Sequence, residues 1–161
     1  MDIIEQLIAQ HRTVSESIDI LRKVHHMLET EGAFLEDIER LRRFFQTEIR
    51  DHIQLEEEVF FPVARQCYSA EKVAIIDELT EEHPHIIKAL EFFDKAAVDY
   101  EQNVTAQTRQ NLRDVSRVII ETVIDHAQKE DREIFNVVGK CFKDKEFKEL
   151  ELAYFRLMQK K

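Results

Sequence analysis

The sequence has few of the residues that interrupt helices. Among 161 residues there are two Gly and two Pro, whereas a sheet-rich protein needs turns, which favour these residues, about every ten positions. Leu, Ile, Glu and Lys, which favour helices, are common. The composition therefore excludes a fold built mainly from strands and predicts an all-α protein with a few long helices.

Long apolar runs and an excess of positive charge are also absent. No apolar stretch approaches the ~20 residues of a membrane span, and residues 1–10 lack the basic flank of a secretion signal. The formal net charge of −10 disfavours nucleic acid and anionic membranes, whose phosphates would be repelled. Cys67 and Cys141 are too few for a disulfide scaffold. We therefore expect a cytoplasmic protein with no nucleic-acid or membrane partner.

Apolar residues recur at alternating steps of three and four along most of the chain, which predicts amphipathic helices. The four long helices are expected at about residues 2–31, 35–64, 80–100 and 105–138. Asp2 is placed to cap the first helix, and Gly32 and Gly139 are placed to end the first and the fourth. The pattern predicts an antiparallel up-down-up-down four-helix bundle.

Two further segments leave alternatives open. Residues 66–79 fit either a short helix or a structured loop, and a third helix that begins near Thr80 places His83 and Pro84 in its first turn. A helix at about residues 144–160 packs either on the outside of the bundle or against a partner, such as a second copy of the chain. We expect one domain over 1–161, with the bundle covering about 2–140.

The second and fourth predicted helices contain an internal repeat. Residues 51–67 align without gaps with residues 125–141, and seven of the seventeen positions are identical. His11 and His83 precede the repeated histidines by 41 and 43 residues. The chain therefore reads as two helical hairpins related by an approximate two-fold axis. The two cysteines end helices on a diagonal of this bundle, so we expect free thiols too far apart for a disulfide.

Histidine and glutamate at positions i and i+4 share one face of a helix, so each pair can offer an imidazole and a carboxylate to one metal ion. Three such pairs occur: His52/Glu56, His126/Glu130 and His25/Glu29. The first two occupy core-facing, equivalent positions of the repeat. A helix rises ~1.5 Å per residue, which places His25 about 21 Å from His11 and outside a site at that level. His25/Glu29 is therefore expected to be a helix-end pair.

His11 and His83 are expected at the same level of the bundle as the two repeated pairs. Six polar side chains then meet in the core, where an unpaired imidazole or carboxylate costs several kcal/mol. Metal ligation would supply the missing partners. Mixed His and Glu ligands suit iron, and two carboxylates can bridge a pair of ions. The predicted metal ligands are His11, His52, Glu56, His83, His126 and Glu130.

Other ionisable residues near these motifs are less favoured as metal ligands. His85 points to another side of its helix and is an alternative ligand. Glu48, one turn before the second-helix histidine, is a candidate for the border of the site. Glu57, Glu58 and Asp131 are expected on a solvated face.

These motifs resemble the hemerythrin-like (HHE cation-binding) family, whose pattern is a lone His, His-x-x-x-Glu, Glu-His and a second His-x-x-x-Glu. The matching residues are His11, His52 to Glu56, Glu82 and His83, and His126 to Glu130. The run Glu57 to Pro62 also matches the continuation of the family's second motif. The resemblance covers about residues 2–140 and implies a di-iron site bridged by Glu56 and Glu130.

The ligand pattern departs from that of the oxygen-carrying hemerythrins. Those proteins have a second histidine where this chain has Ile87, and they use an Asp five residues after the last His. Asp131 occupies that position and is an alternative to Glu130, although the internal repeat favours Glu130. Four His and two carboxylates are more similar to the di-iron domain of iron-sulfur cluster repair proteins.

The resemblance implies a protein with two Fe ions, joined by an oxo or hydroxo bridge, that binds, senses or reacts with O₂, NO or peroxide. Such a protein would act in oxidative or nitrosative stress or in iron handling. A ferritin-like oxidase fits less well, because that class uses Glu-x-x-His pairs. The alternative is a metal-free helical interaction or regulatory module, with the C-terminal helix as its docking surface.

Overall fold

The computed structural model describes residues 2–30 and 32–161, and its regular elements are all helical there. The α-helices are α1 (Ile3–Thr30), α2 (Leu35–Gln46), α3 (Glu48–Leu55), α4 (Phe61–Cys67), α5 (Ala70–Gln102), α6 (Ala106–Glu133), α7 (Val138–Cys141) and α8 (Asp144–Gln159). A π-helical segment, Glu56–Phe60, joins α3 to α4, and a 3-10 turn, Phe135–Val137, joins α6 to α7. None of the helices described is long and apolar enough to cross a membrane.

Four helical columns form the bundle: α1, the run from α2 to α4, α5 and α6. Helix α1 packs against α2, α3 and α6, and α5 packs against α2, α4 and α6. Each column therefore contacts the columns before and after it in the chain, and α1 closes the ring with α6. The predicted all-α bundle with an additional C-terminal helix is confirmed.

The predicted start of the third long helix is wrong. Helix α5 begins at Ala70, after the N-cap Ser69, and continues through Pro84 in its interior. Of residues 66–79, which the sequence left open between a short helix and a loop, residues 70–79 form the first part of this helix. Burial of Ile76 and Leu79 in the core offsets the hydrogen bond lost at the proline. His83 therefore lies in the middle of α5 and not in its first turn, because the helix begins at Ala70 and not near Thr80.

Both halves of the repeat leave the α-helical pattern just after the central glutamate. From Glu56 the chain is π-helical for five residues, to Phe60, and Pro62, which lacks an N–H, follows. In the other half α6 ends at Glu133, and Ile134 departs from helical geometry with φ −117°. The hydroxyl of Tyr68 donates to the Ile134 carbonyl at 2.7 Å. This bond removes the carbonyl from the helical pattern, so the predicted continuation of the fourth helix to residue 138 is wrong.

The two glycines have different roles. Gly32 has φ +88°, and its N–H bonds to the Met27 carbonyl at 2.9 Å, so it ends α1 as predicted. Gly139 lies inside the short helix α7. The prediction that Gly139 ends the fourth helix is wrong, because the break occurs earlier, at Ile134.

The cysteines are free, as predicted, but they lie close together. The rings of Tyr68 and Phe142, each next to a cysteine in the chain, have centroids 6.0 Å apart, and Cys67 and Cys141 pack against the same apolar cluster. The expected separation assumed a straight fourth helix. The chain instead leaves that path at Ile134 and brings α7 to the end of α4.

Helix α8 packs on the outside of the bundle, which was the first of the two predicted alternatives. Leu150 and Leu157 are buried among the apolar residues of α4, the π segment and the 3-10 turn. Its outward residues Leu152, Phe155 and Met158 are exposed. A partner on that outer face stays a prediction.

Candidate metal centre

A layer of polar side chains separates two apolar clusters in the core. One cluster includes Leu7, Leu55 and Ile134 and the residues that contact α8. The other includes Val14 and Ile49 and fills the opposite end of the bundle. The polar layer between them consists of the six predicted ligands, which are all buried: His11, His52, Glu56, His83, His126 and Glu130.

The six side chains form two groups of four that share both glutamates. One group contains His11 and His52 and the other contains His83 and His126, and within each group the potential ligand atoms lie within 4.8 Å of one another. The two histidines of each group face each other through Nε2, at 3.0 Å and 3.2 Å respectively. This arrangement could hold two cations side by side.

Glu130 has the geometry of a bridge between the two groups. Its Oε2 lies 2.7 Å from His11 Nε2, and its Oε1 lies 2.6 Å from His126 Nε2. Glu56 presents Oε1 to both groups, at 3.4 Å from His52 Nε2 and 3.5 Å from His83 Nε2. Both glutamates are fully buried.

The four carboxylate oxygens of this layer need partners. In the described part of the chain, their polar neighbours are imidazole nitrogens and, between Glu56 and Glu130, the other carboxylate. Buried carboxylates left in this way are costly unless a cation or a proton compensates them. The donor set of imidazole and carboxylate therefore fits a pair of metal ions.

Each histidine is held from outside the layer through its Nδ1. The acceptors are Gln10 for His52 at 2.7 Å, Glu57 for His83 at 2.8 Å, Glu82 for His126 at 3.3 Å and Asp131 for His11 at 2.8 Å. Each column thus supplies the acceptor for the histidine of the next column around the bundle. Donation from Nδ1–H leaves the Nε2 lone pair free to ligate a metal.

Sequence reasoning missed these acceptors as a group. Glu57 and Asp131 were expected on a solvated face, but both bond to a histidine, although Asp131 is 54% exposed. A signal was available, because each acceptor is adjacent in sequence to a residue of the inner layer on its own column. It could not be used, because the histidine that each acceptor contacts lies on a different column.

Glu130, rather than Asp131, occupies the centre of the layer. Glu130 belongs to both groups of potential ligands, whereas Asp131 makes the outer contact to His11; the choice between them as metal ligand stays a prediction. His85 and Glu48 are exposed and lie outside both groups. Glu29 is exposed and pairs with Arg113, in keeping with a role away from the layer.

Two equivalent phenylalanines cover the layer on the α8 side. The ring of Phe135 lies 5.1 Å from that of His11, and the ring of Phe61 stacks on His83 at 6.2 Å. The two positions are identical in the repeat, 74 residues apart. They shield one histidine of each group from water.

The buried imidazoles and carboxylates of the layer shift one another's pKa values. Burial lowers the pKa values of His11 and His83, but neighbouring carboxylates outweigh this effect and raise each pKa to about 10. Burial lowers the pKa of His52. Burial and the charge of Glu130 raise the pKa of Glu56, whereas imidazole contacts hold the pKa of Glu130 low despite its burial. The raised pKa values of His11 and His83 thus keep positive charge next to the ionised carboxylate of Glu130.

A small cavity opens onto the layer on the side away from α8. Its volume is about 30 Å³, enough for a water or a diatomic molecule. Its apolar lining consists of three pairs of residues that the two halves of the chain place equivalently: Val14 and Ile86, Ile49 and Val123, Ile53 and Ala127. The polar part of the lining includes His11, His52, His126 and both central glutamates.

A family model described as the hemerythrin HHE cation-binding domain matches residues 2–138, which include the whole polar layer. The chain belongs to this family. No curated protein matches the chain.

Membership in the HHE family agrees with the geometry of the layer. The resemblance that the sequence motifs indicated is confirmed, and the buried His and Glu groups fit a cation-binding domain. The finer similarity to iron-sulfur cluster repair proteins stays a prediction.

Proposed function

We propose that this HHE domain is a non-haem di-iron protein that binds, senses or reacts with O₂, NO or peroxide. The observation that carries the proposal is the pair of four-residue groups that share both buried glutamates. Two His and two bridging carboxylates per ion suit iron and leave coordination positions open for a small molecule. Iron bound there would supply the redox chemistry.

The residues of the chain determine what can reach the metal pair. The accessible surface of the cavity is almost wholly apolar, although polar residues lie behind it, and the cavity has room for a diatomic ligand, so it favours small uncharged molecules over ions. Phe61 and Phe135 close the opposite side. The chain therefore supplies a small pocket with an apolar surface on one side of the proposed metal pair.

The first experiment measures bound iron and the absorption spectrum of the protein purified from iron-replete medium. We expect two irons per chain and a visible band in air that changes when NO is added. Iron content near zero would contradict the proposal and favour the metal-free module. In that case the core histidines should be replaceable without loss.

A second experiment tests the cavity. Ala127→Val adds two methyl groups to a cavity lining residue, and overpacking a site of this kind costs about 1–3 kcal/mol. NO binding should weaken by roughly tenfold or more, while the iron content stays at two per chain. Ala74→Val, at an exposed position on α5, is the matched control and should leave NO binding unchanged. Equal NO affinity in both variants would exclude the cavity as the ligand site.

A further inference from the structure

The ring of outer hydrogen bonds contains one neutral acceptor. Glu57 and Asp131 are equivalent in the repeat, and both are carboxylates. Gln10 and Glu82 also hold equivalent positions, each one residue before the lone histidine of its half. Here the chain departs from its own symmetry, because His52 contacts an amide oxygen where His126 contacts a carboxylate.

This difference changes the ligand strength of the imidazoles. A histidine whose Nδ1–H donates to a carboxylate is a more basic ligand through Nε2 than one whose Nδ1–H donates to a neutral amide. Both imidazoles of the His83 and His126 group have carboxylate partners. In the other group only His11 has one, through Asp131.

Other contacts reduce the difference without removing it. Lys129 Nζ lies 3.0 Å from Glu82 Oε2 and withdraws part of its charge. The bond from His126 to Glu82 is also longer than that from His52 to Gln10, at 3.3 Å against 2.7 Å. We therefore expect an effect near the lower end of the 10- to 100-fold range known for such outer partners.

We propose that the two metal positions are unequal and that Gln10 makes the position of His11 and His52 the weaker one. The proposal rests on the metal centre proposed above. The position of His83 and His126 then keeps its ion when the other has been lost. The outer partners, and not the six inner residues, decide the order, since the inner set is the same on both sides.

The test follows metal release from the protein loaded anaerobically with Fe(II) and titrated with a chelator. Wild type should lose its two ions in two steps, separated by roughly tenfold in chelator strength. Gln10→Glu should merge the steps at the tighter value. Glu82→Gln should merge them at the weaker value, so that the two variants move the steps in opposite directions.

Gln128→Glu is the charge control. Gln128 is exposed and close in sequence to His126 and Glu130, but none of the hydrogen bonds to the four rings involves it. The Gln128→Glu substitution adds the same negative charge as Gln10→Glu and should leave the two release steps unchanged. Unchanged helicity and melting temperature show that each variant is folded.

The possible outcomes separate this inference from the proposed function. Two ions released in one step by wild type would overturn the inequality but leave the metal centre intact. Two steps that Gln10→Glu does not move, or that Gln128→Glu moves equally, would overturn the role of Gln10. Failure of wild type to bind Fe(II) would overturn both proposals.

Discussion

Each histidine of the polar layer uses its two ring nitrogens for different purposes. Nε2 points to the shared glutamates, and Nδ1 bonds to an acceptor on the neighbouring column, as for His83 and Glu57. The outer bond fixes both the tautomer and the ring plane. The layer is therefore positioned before any cation binds, and substitutions of inner and outer residues should have different effects.

Replacement of single histidines should show that those of the polar layer are needed for iron binding and that those elsewhere in the chain are not. His52→Ala and His126→Ala should each lose most of the bound iron, because each removes one of two imidazoles at a metal position. His25→Ala and His85→Ala should keep it, and His85 is an exposed neighbour of His83 on the same helix. Metal analysis of the purified variants gives the answer. Equal loss in all four would contradict the assignment.

Cation binding should strengthen as the pH rises. The pKa values of His11 and His83 are raised to about 10, so each metal position holds one protonated imidazole at neutral pH. A cation must displace that proton. The apparent affinity should then rise by at least about one decade per pH unit at each position, up to about pH 10, because the raised pKa of the shared Glu56 adds a further proton to displace. Competition with a chelator of known pH dependence measures this, and a flat profile would contradict the expectation.

Helix interruptions lie close to the polar layer. In the repeat, Ile134 is equivalent to Phe60, the last residue of the π segment, and such interruptions are common next to functional sites. Helix α5, in contrast, tolerates Pro84 in its interior. Local helix propensity alone therefore does not predict where these columns bend.

The glycines provide a matched test of this local geometry. Gly32→Ala should destabilise the protein by about 1–2 kcal/mol, because φ is +88° and a Cβ would lie 2.9 Å from the Tyr100 hydroxyl. Gly139→Ala should be neutral or stabilise by up to about 1 kcal/mol, since its Cβ meets nothing within 4 Å in a helical turn. Chemical denaturation of both variants measures the difference. Equal effects would show that backbone conformation does not decide it.

The whole molecule is organised as two apolar cores with one polar layer between them. Helix α8 enlarges the core on the Phe61 and Phe135 side of the layer, and the small cavity lies on the other side. The layer is thus covered towards α8, and the small cavity reaches it from the side of the opposite core. Loss of α8 would expose the aromatic side chains that cover the histidines.

Two leucines on α8 test its docking. Leu150 is 1% exposed and Leu152 is 55% exposed. Leu150→Ala should lower the free energy of unfolding by about 2–5 kcal/mol, because it leaves a cavity in the core. Leu152→Ala should change it by less than about 0.5 kcal/mol. Similar losses in both would contradict the packing of α8 on the bundle.

Much of this architecture could be predicted from the sequence, because it depends on periodicity and repetition. The apolar pattern predicted the bundle and α8, and the 74-residue repeat distinguished the pairs His52/Glu56 and His126/Glu130 from His25/Glu29. The level of His11 and His83 followed from helical rise. That the six residues ligate metal stays a prediction that the proposed experiments test.

Only the tertiary structure decided which groups contact one another between columns. A sequence shows which residues share a face of one helix, but not the rotation of that helix against its neighbours. The contacts of Gln10, Glu57, Glu82 and Asp131 with histidines depend on that rotation. The proximity of Cys67 and Cys141 likewise depends on the end of the regular helix at Ile134. The Tyr68 hydroxyl, from another column, stabilises this break by its bond to the Ile134 carbonyl.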